Sequence, residues 1–175
     1  ISDGASFDNN IMCISEKCIV AVESIVPAFV KQLEENGVYY IDNETEMLQL
    51  TKTVLNHDMK MVRKMEGKSA MDILEEAGIH PNRPVRLVVV RTFAKHPLVL
   101  EECLMPVVPL VAVADFEEAL ETALFTEQGY RHTAMVHSQC IDRLSKAAKI
   151  MNTTVFIKNG SSLAGIGLNG EEMAS

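Results

Sequence analysis

Positive charge, cysteine and long hydrophobic runs are all scarce in this sequence of 175 residues. The 24 acidic residues outnumber the 16 basic ones and give a net charge of −8. Because nucleic-acid surfaces and anionic membranes attract clustered Lys and Arg, this charge balance argues against both. We therefore expect neither nucleic acid nor a membrane among the partners of the chain.

The longest apolar stretch, residues 104–114, is too short to span a bilayer and contains two prolines. The four cysteines form no CxxC pair and no metal-ligand spacing. Without a secretory signal, such thiols fit a reducing compartment, so we expect a cytoplasmic location. His132 and His137 stand five apart, which suits neither adjacent helical turns nor one face of a strand. The sequence therefore predicts no metal site.

Helical and extended patterns alternate along the chain. Apolar, β-branched runs predict strands at 16–22, 85–90, 107–113 and 154–157, all in one sheet, with a further short strand at 134–136. Helical spacing of apolar residues predicts helices between residues 25 and 36, at 43–55, at 69–77, after a capping Asp115, and from 141 to 151. The alternation predicts an α/β fold with an open, twisted, largely parallel or mixed sheet flanked by helices. With no repeat or linker visible, we expect residues 1–175 to form a single domain.

Cys13 follows an unusual polar run, Asp8-Asn9-Asn10. Asp and Asn favour turns and caps, because their short side chains bond nearby backbone groups. Such a turn can hold backbone N–H groups near the sulfur, and these groups stabilise the nucleophilic thiolate. The pattern alone leaves two interpretations open, a nucleophile and a small buried hydrophobe.

Several segments resemble those of one enzyme family, in the same order. They are GASFDNN at 4–10 with CISEK at 13–17, EECLMPV at 101–107, RHTAMVHS at 131–138 and NTTVFIKNG at 152–160. Together they resemble the CoA-acylating aldehyde dehydrogenases, in particular the propionaldehyde and acetaldehyde enzymes of propanediol and ethanolamine utilisation. The resemblance covers nearly the whole chain and implies the catalytic-domain fold of that family.

The resemblance implies an oxidoreductase that converts a short-chain aldehyde to acyl-CoA with NAD and coenzyme A. Cys13 would be the catalytic nucleophile that carries the acyl group as a thioester. Glu102 matches the glutamate that contacts the nicotinamide ribose, although on its own it reads as a solvated residue at the end of an element. His132 would line the cofactor cleft or satisfy a loop carbonyl. A homo-oligomer and association with a bacterial microcompartment are also implied by the resemblance alone.

Family members carry an N-terminal Rossmann-type cofactor domain before the cysteine segment, and we expect this domain to be absent from the present chain. The isolated chain is then expected to be inactive alone. The sequence Gly165 to Gly170 matches G-x-G-x-x-G, but with five residues after it no helix can follow to bind a pyrophosphate. The ending 171–175 does not resemble the family.

Two other interpretations remain at this stage. The chain could be a non-catalytic remnant or assembly module that keeps the fold and uses its acidic surface for subunit contacts. It could also be another cysteine enzyme such as a thiol hydrolase, which would need a histidine base near Cys13. Thiol reactivity separates the first of these from the dehydrogenase.

Overall fold

The computed structural model describes residues 1–168 of the chain. The call-free end of the glycine motif, Asn169 and Gly170, and the ending 171–175 lie outside these described residues. The helices are α1 (Ser2–Ser6), α2 (Val26–Glu35), α3 (Glu44–Val54), α4 (Ala70–Glu76), α5 (Pro97–Leu100), α6 (Phe116–Glu127) and α7 (Ile141–Met151). The strands are β1 (Ile19–Val22), β2 (Val38–Ile41), β3 (Leu87–Thr92), β4 (Val107–Val113), β5 (Thr133–Val136) and β6 (Val155–Lys158). Short 3-10 helices lie at Phe7–Asn10, Glu23–Ile25, Arg63–Met65 and Ser162–Ile166.

Four strands form one parallel sheet in the order β1-β4-β3-β2. Alternate residues of β3 point to opposite faces, so Val88 and Val90 enter one core while Leu87 and Val89 enter another. Helices α3 and α4 cover the first face, and α1 and α2 cover the second. The unbroken apolar run of β3 is what a parallel strand covered on both faces requires. The predicted α/β fold is confirmed.

Local signals place the helix starts correctly. The Asn43 side chain accepts a hydrogen bond from the Glu46 backbone N–H, and Ser69 does the same for Asp72. Asp115 accepts from the N–H groups of Glu117 and Glu118 at the start of α6. Each cap satisfies backbone donors that have no partner within the helix. Within residues 1–168, no helix is both long and apolar enough to cross a membrane.

The prediction that all strands share one sheet is wrong. Strands β5 and β6 pair with each other in a separate two-stranded parallel sheet, connected through α7. A strand of four residues carries no local sign of which sheet it joins, because sheet membership depends on how the whole β5-α7-β6 unit docks. The correction therefore concerns tertiary packing and leaves the strand positions nearly as predicted.

Strand positions differ from the prediction in three further places. Strand β1 begins at Ile19 rather than at residue 16, and β3 is shifted two residues towards the C-terminus. Strand β2, the sequence VYYI, was not predicted because it is short and directly follows the turn at Gly37. The four-residue helix α5, which begins at a proline after the cap His96, was also missed.

One buried carboxylate joins three distant segments. Glu16 is only 4% exposed, and its two oxygens accept hydrogen bonds from the backbone N–H (3.1 Å) and the hydroxyl (2.7 Å) of Ser162. Gly4 of α1 packs so closely against this pair that an added Cβ would lie 2.3 Å from Glu16 Oε2 and 2.4 Å from Ser162 Oγ. We refer to Gly4, Glu16 and Ser162 as the carboxylate clasp.

We predict that Gly4→Ala destabilises the fold by about 1–3 kcal/mol, because its methyl group would force Glu16 and Ser162 apart in a packed interior. Urea denaturation followed by circular dichroism measures the change. Ser2→Ala, in the same helix but outside the carboxylate clasp, is the control and should change stability by less than about 0.5 kcal/mol. Equal stability of the Gly4→Ala variant and the wild type would contradict the packing described here.

Candidate active site

The three predicted site residues line one cleft. Cys13, Glu102 and His132, which are far apart in sequence, all border an open cavity of about 1450 Å³. The cleft runs along the free edge of β1, between the cysteine loop, the segment after α5 and strand β5. The structure thus brings together the nucleophile candidate and both cofactor-contact candidates.

The segment before Cys13 is a left-handed turn. Asp8, Asn9 and Asn10 have φ values of 46°, 51° and 61° in succession. Asp and Asn tolerate this region better than other residues with a side chain, which explains their run at this point. The turn ends at Ile11, and a second turn, closed by a hydrogen bond of 3.1 Å from Ser15 N–H to the Met12 carbonyl, presents Cys13.

Asparagine side chains fasten this turn to its surroundings. The fully buried Asn10 donates from Nδ2 to the carbonyls of Ala5 (2.7 Å) and Glu16 (3.0 Å). Asn9 donates to the carbonyl of Gly67 (2.9 Å), whose own N–H donates to the carbonyl of Leu104 (2.9 Å). Gly67 therefore connects the cysteine loop with the loop that carries Glu102.

The four thiols fall into two classes. Cys13 and Cys140 are exposed, and Cys140 is the N-cap of α7. Desolvation raises the pKa of Cys18 to about 12. Burial, assisted by the charge of Glu101, raises the pKa of Cys103 to about 12 as well. Only Cys13 and Cys140 are therefore accessible nucleophiles near neutral pH.

The two adjacent glutamates after α5 have different surroundings. Glu101 forms an ion pair of 2.8 Å with Lys60 and also accepts from the backbone N–H of Met61 (3.3 Å). Glu102 is exposed at the cleft, and within residues 1–168 no hydrogen bond engages its carboxylate. Its oxygens are therefore available to accept hydrogen bonds from the hydroxyl groups of a ligand.

Lys17 is a site residue that the sequence reasoning missed. Its ammonium group donates to both the backbone carbonyl and the side-chain oxygen of Asn10, at 2.5 Å each, and it borders the same cleft as Cys13. Burial lowers the pKa of Lys17, while the nearby negative charge of Glu102, and less strongly those of Cys103 and Cys13, oppose the shift. A basic residue four positions after the nucleophile, directly before an apolar strand, was the available signal.

Two histidines border the cleft on the side of β5. His132 is exposed, and its Nδ1 lies 2.6 Å from the Thr133 hydroxyl rather than against a loop carbonyl. His137 is more enclosed, and burial lowers its pKa. Neither ring is hydrogen bonded to the Cys13 sulfur in the described part of the chain. A histidine-activated hydrolase site therefore has no support in this geometry.

The described glycines of the glycine-rich motif serve packing. A Cβ on Gly165 would lie 2.5 Å from Ile14 Cδ1, next to the nucleophile candidate, and 3.2 Å from Val155 Cγ1. Gly167 has φ of 73° and ends the 3-10 helix Ser162–Ile166. No group of three or more His, Cys, Asp or Glu side chains in residues 1–168 is arranged to hold a metal ion.

Comparison with curated proteins identifies relatives that match the chain from end to end. It is 42% identical over 173 residues to the propanal dehydrogenase (CoA-propanoylating) of Salmonella typhimurium, and 38% identical over 175 residues to the acetaldehyde dehydrogenase (acetylating) of the same organism. These alignments cover 98% of the chain but only 37% and 38% of the respective relatives. The chain thus spans little more than a third of their length. No protein-family model matches it.

Solved structures give the same result. The propionaldehyde dehydrogenase of Rhodopseudomonas palustris with bound propionyl-CoA superposes with a TM-score of 0.94 at 38% identity, covering 99% of this chain and 38% of that one. An engineered glycolyl-CoA reductase with bound NADP+ has the same TM-score and identity and is covered to 40%. Over its whole length, this chain is homologous to one segment of the CoA-acylating aldehyde dehydrogenases.

Proposed function

We propose that this chain carries the thioester-forming part of a CoA-acylating aldehyde dehydrogenase, with Cys13 as its nucleophile. The observation that carries the proposal is the meeting of Cys13, Glu102 and His132 at one cleft. Relatives over the whole chain include CoA-propanoylating and acetylating enzymes, and one neighbour, at 37% identity, was solved with CoA and an acylated cysteine. The substrate class is therefore a short-chain aldehyde.

The reaction proceeds on the Cys13 sulfur. The thiolate attacks the aldehyde carbonyl and forms a thiohemiacetal anion, which becomes a thioester when its hydride is removed. The thiolate of coenzyme A then attacks the thioester carbonyl, acyl-CoA leaves, and the Cys13 thiolate is regenerated. Covalent catalysis of this kind divides one difficult transfer into two easier steps. The exposure of Cys13 at an open cleft suits attack by both substrates.

A nicotinamide nucleotide, NAD or NADP, would supply the hydride acceptor when bound. Glu102 fits the role of holding it, because its carboxylate faces the cleft without a hydrogen-bond partner in the described chain and can accept from ribose hydroxyls. His132 would line the same site. We propose that the nucleotide is held mainly by a Rossmann-type unit outside residues 1–175, since one carboxylate contributes too little to bind a dinucleotide against the entropy of association.

The setting of this activity follows from the relatives. One structural neighbour, at 34% identity and a TM-score of 0.92, belongs to the fucose utilisation bacterial microcompartment of Clostridium phytofermentans. We propose that the present protein acts in the cytoplasm, within such a compartment, and as a homo-oligomer. The apolar residues at the cleft, among them Phe29, Leu120 and Met135, would then be covered by other parts of the assembly.

Cys13 is expected to react first with a limiting dose of iodoacetamide at neutral pH, because it is exposed and lies near the positive charge of Lys17. Peptide mass spectrometry reads the site of labelling. Cys140→Ala, which removes the other exposed thiol, is the matched control and should leave the labelling rate unchanged, whereas Cys13→Ala should abolish the fast phase. Preferential labelling of Cys140 would refute Cys13 as the nucleophile and favour a non-catalytic remnant.

Cys13 is also expected to accept a propionyl group from propionyl-CoA, because thioester exchange on its sulfur needs no nucleotide. The chain is incubated with millimolar propionyl-CoA, and the acyl group is located on tryptic peptides. Cys13→Ala should lose the modification and Cys140→Ala should keep it. Acylation spread evenly over Cys13 and Cys140 would show ordinary thiol chemistry and count against the proposal.

The buried thiols should resist alkylation far into the alkaline range. With a pKa of about 12, Cys18 and Cys103 are thiolates to only about one part in a thousand at pH 9, where an ordinary cysteine is largely ionised. We expect both to remain unlabelled at pH 9 in the native protein and to be labelled within minutes in 8 M urea, a concentration of roughly that order being needed to unfold most domains. Rapid native labelling of either would contradict their burial.

A further inference from the structure

Lys17 holds an uncommon position for a lysine. Lysine side chains usually extend into solvent, yet this one is enclosed enough that burial lowers its pKa. Seven ion pairs occur among residues 1–168, and none of them includes Lys17. Its ammonium group is instead bound to two oxygens of Asn10, which are neutral. The positive charge is therefore directed into the site without a carboxylate in direct contact.

The groups around that charge are those of the proposed chemistry. The negative charges that act on Lys17 are, in decreasing order, those of Glu102, Cys103, Cys13 and Glu16. Cys103 is buried and protonated near neutral pH, and Glu16 is engaged by Ser162. This leaves Glu102 and Cys13 as the groups at the cleft that Lys17 can influence during a reaction.

We propose that Lys17 is the positioning residue of this site, which fixes the Cys13 turn through Asn10 and places a positive charge between the Cys13 sulfur and the Glu102 carboxylate. The inference rests on the proposed function of Cys13. The charge stabilises the thiolate before attack on the aldehyde and again when the thiolate leaves the thioester. It also attracts the thiolate of coenzyme A towards the acyl group, since opposite charges attract strongly in a partly desolvated cleft.

Two roles of Lys17 can be separated by experiment. If the side chain only ties the turn to Asn10, its loss disturbs all reagents alike. If its charge acts on the sulfur and on approaching anions, its loss slows an anionic reagent more than a neutral one of similar size. Iodoacetate and iodoacetamide form such a pair, because both alkylate thiolates and they differ chiefly in charge.

The test compares the rates at which the two reagents alkylate Cys13 at pH 7 in three variants, with Cys140 as the internal reference. Lys17→Met is expected to slow iodoacetamide about 10-fold and to lower the ratio of the iodoacetate rate to the iodoacetamide rate about threefold further. Lys17→Arg, which keeps the charge, should restore the ratio. Lys31→Met makes the same charge change on the exposed side of α2 and should alter neither rate.

Lys17→Gln covers the case in which Lys17→Met fails to fold, because glutamine can still donate a hydrogen bond but carries no charge. It should lower the ratio as Lys17→Met does. An unchanged ratio in folded Lys17→Gln and Lys17→Met, with Cys13 still labelled first, overturns this inference and leaves the proposed function intact. If Cys13 is not labelled first in the wild type, the proposed function itself has failed.

Discussion

The carboxylate of Glu16 is the constraint on which the geometry of the site depends. It is buried, and a buried carboxylate is tolerated only when its oxygens are bonded. Ser162 provides both donors, and Gly4 provides the space in which they meet. Since Glu16 lies three residues after Cys13, this contact fixes one end of the cysteine loop to α1 and to the 3-10 helix near the end of the described chain.

The other end of the loop is held by asparagine. Asn10 reaches back to Ala5 and forward to Glu16, so its side chain closes the loop that the carboxylate clasp anchors. Asn9 extends the connection to Gly67 and from there to the loop of Glu102. A chain of short hydrogen bonds thus links the nucleophile candidate to the cofactor-contact candidate. Fixed spacing of this kind is what a reaction between two bound groups requires.

Two pairs of neighbouring charged residues divide structural and chemical roles. Glu16 is buried in the carboxylate clasp, whereas Lys17, the next residue, faces the cleft. Glu101 binds Lys60, whereas Glu102, the next residue, is open to ligands. Because successive residues of an extended segment point to opposite sides, a single backbone path serves the framework with one side chain and the site with the other.

Much of this could be read from the sequence. Apolar runs marked β3 and β4, helical spacing with Asn43, Ser69 and Asp115 marked helix starts, and local motifs singled out Cys13, Glu102 and His132. These features are decided within a few residues, where side-chain size, capping and turn preferences act. The Asp-Asn-Asn run likewise announced a turn, and three successive left-handed residues form it.

What only the tertiary structure decided is how distant segments meet. The separate sheet of β5 and β6, the contact of Glu16 with Ser162, the burial of Cys18 and Cys103, and the place of Lys17 all depend on contacts between residues far apart in sequence. A lysine reads as a solvated charge and a glutamate as a surface residue until packing encloses them, because desolvation is a property of the surroundings and not of the side chain.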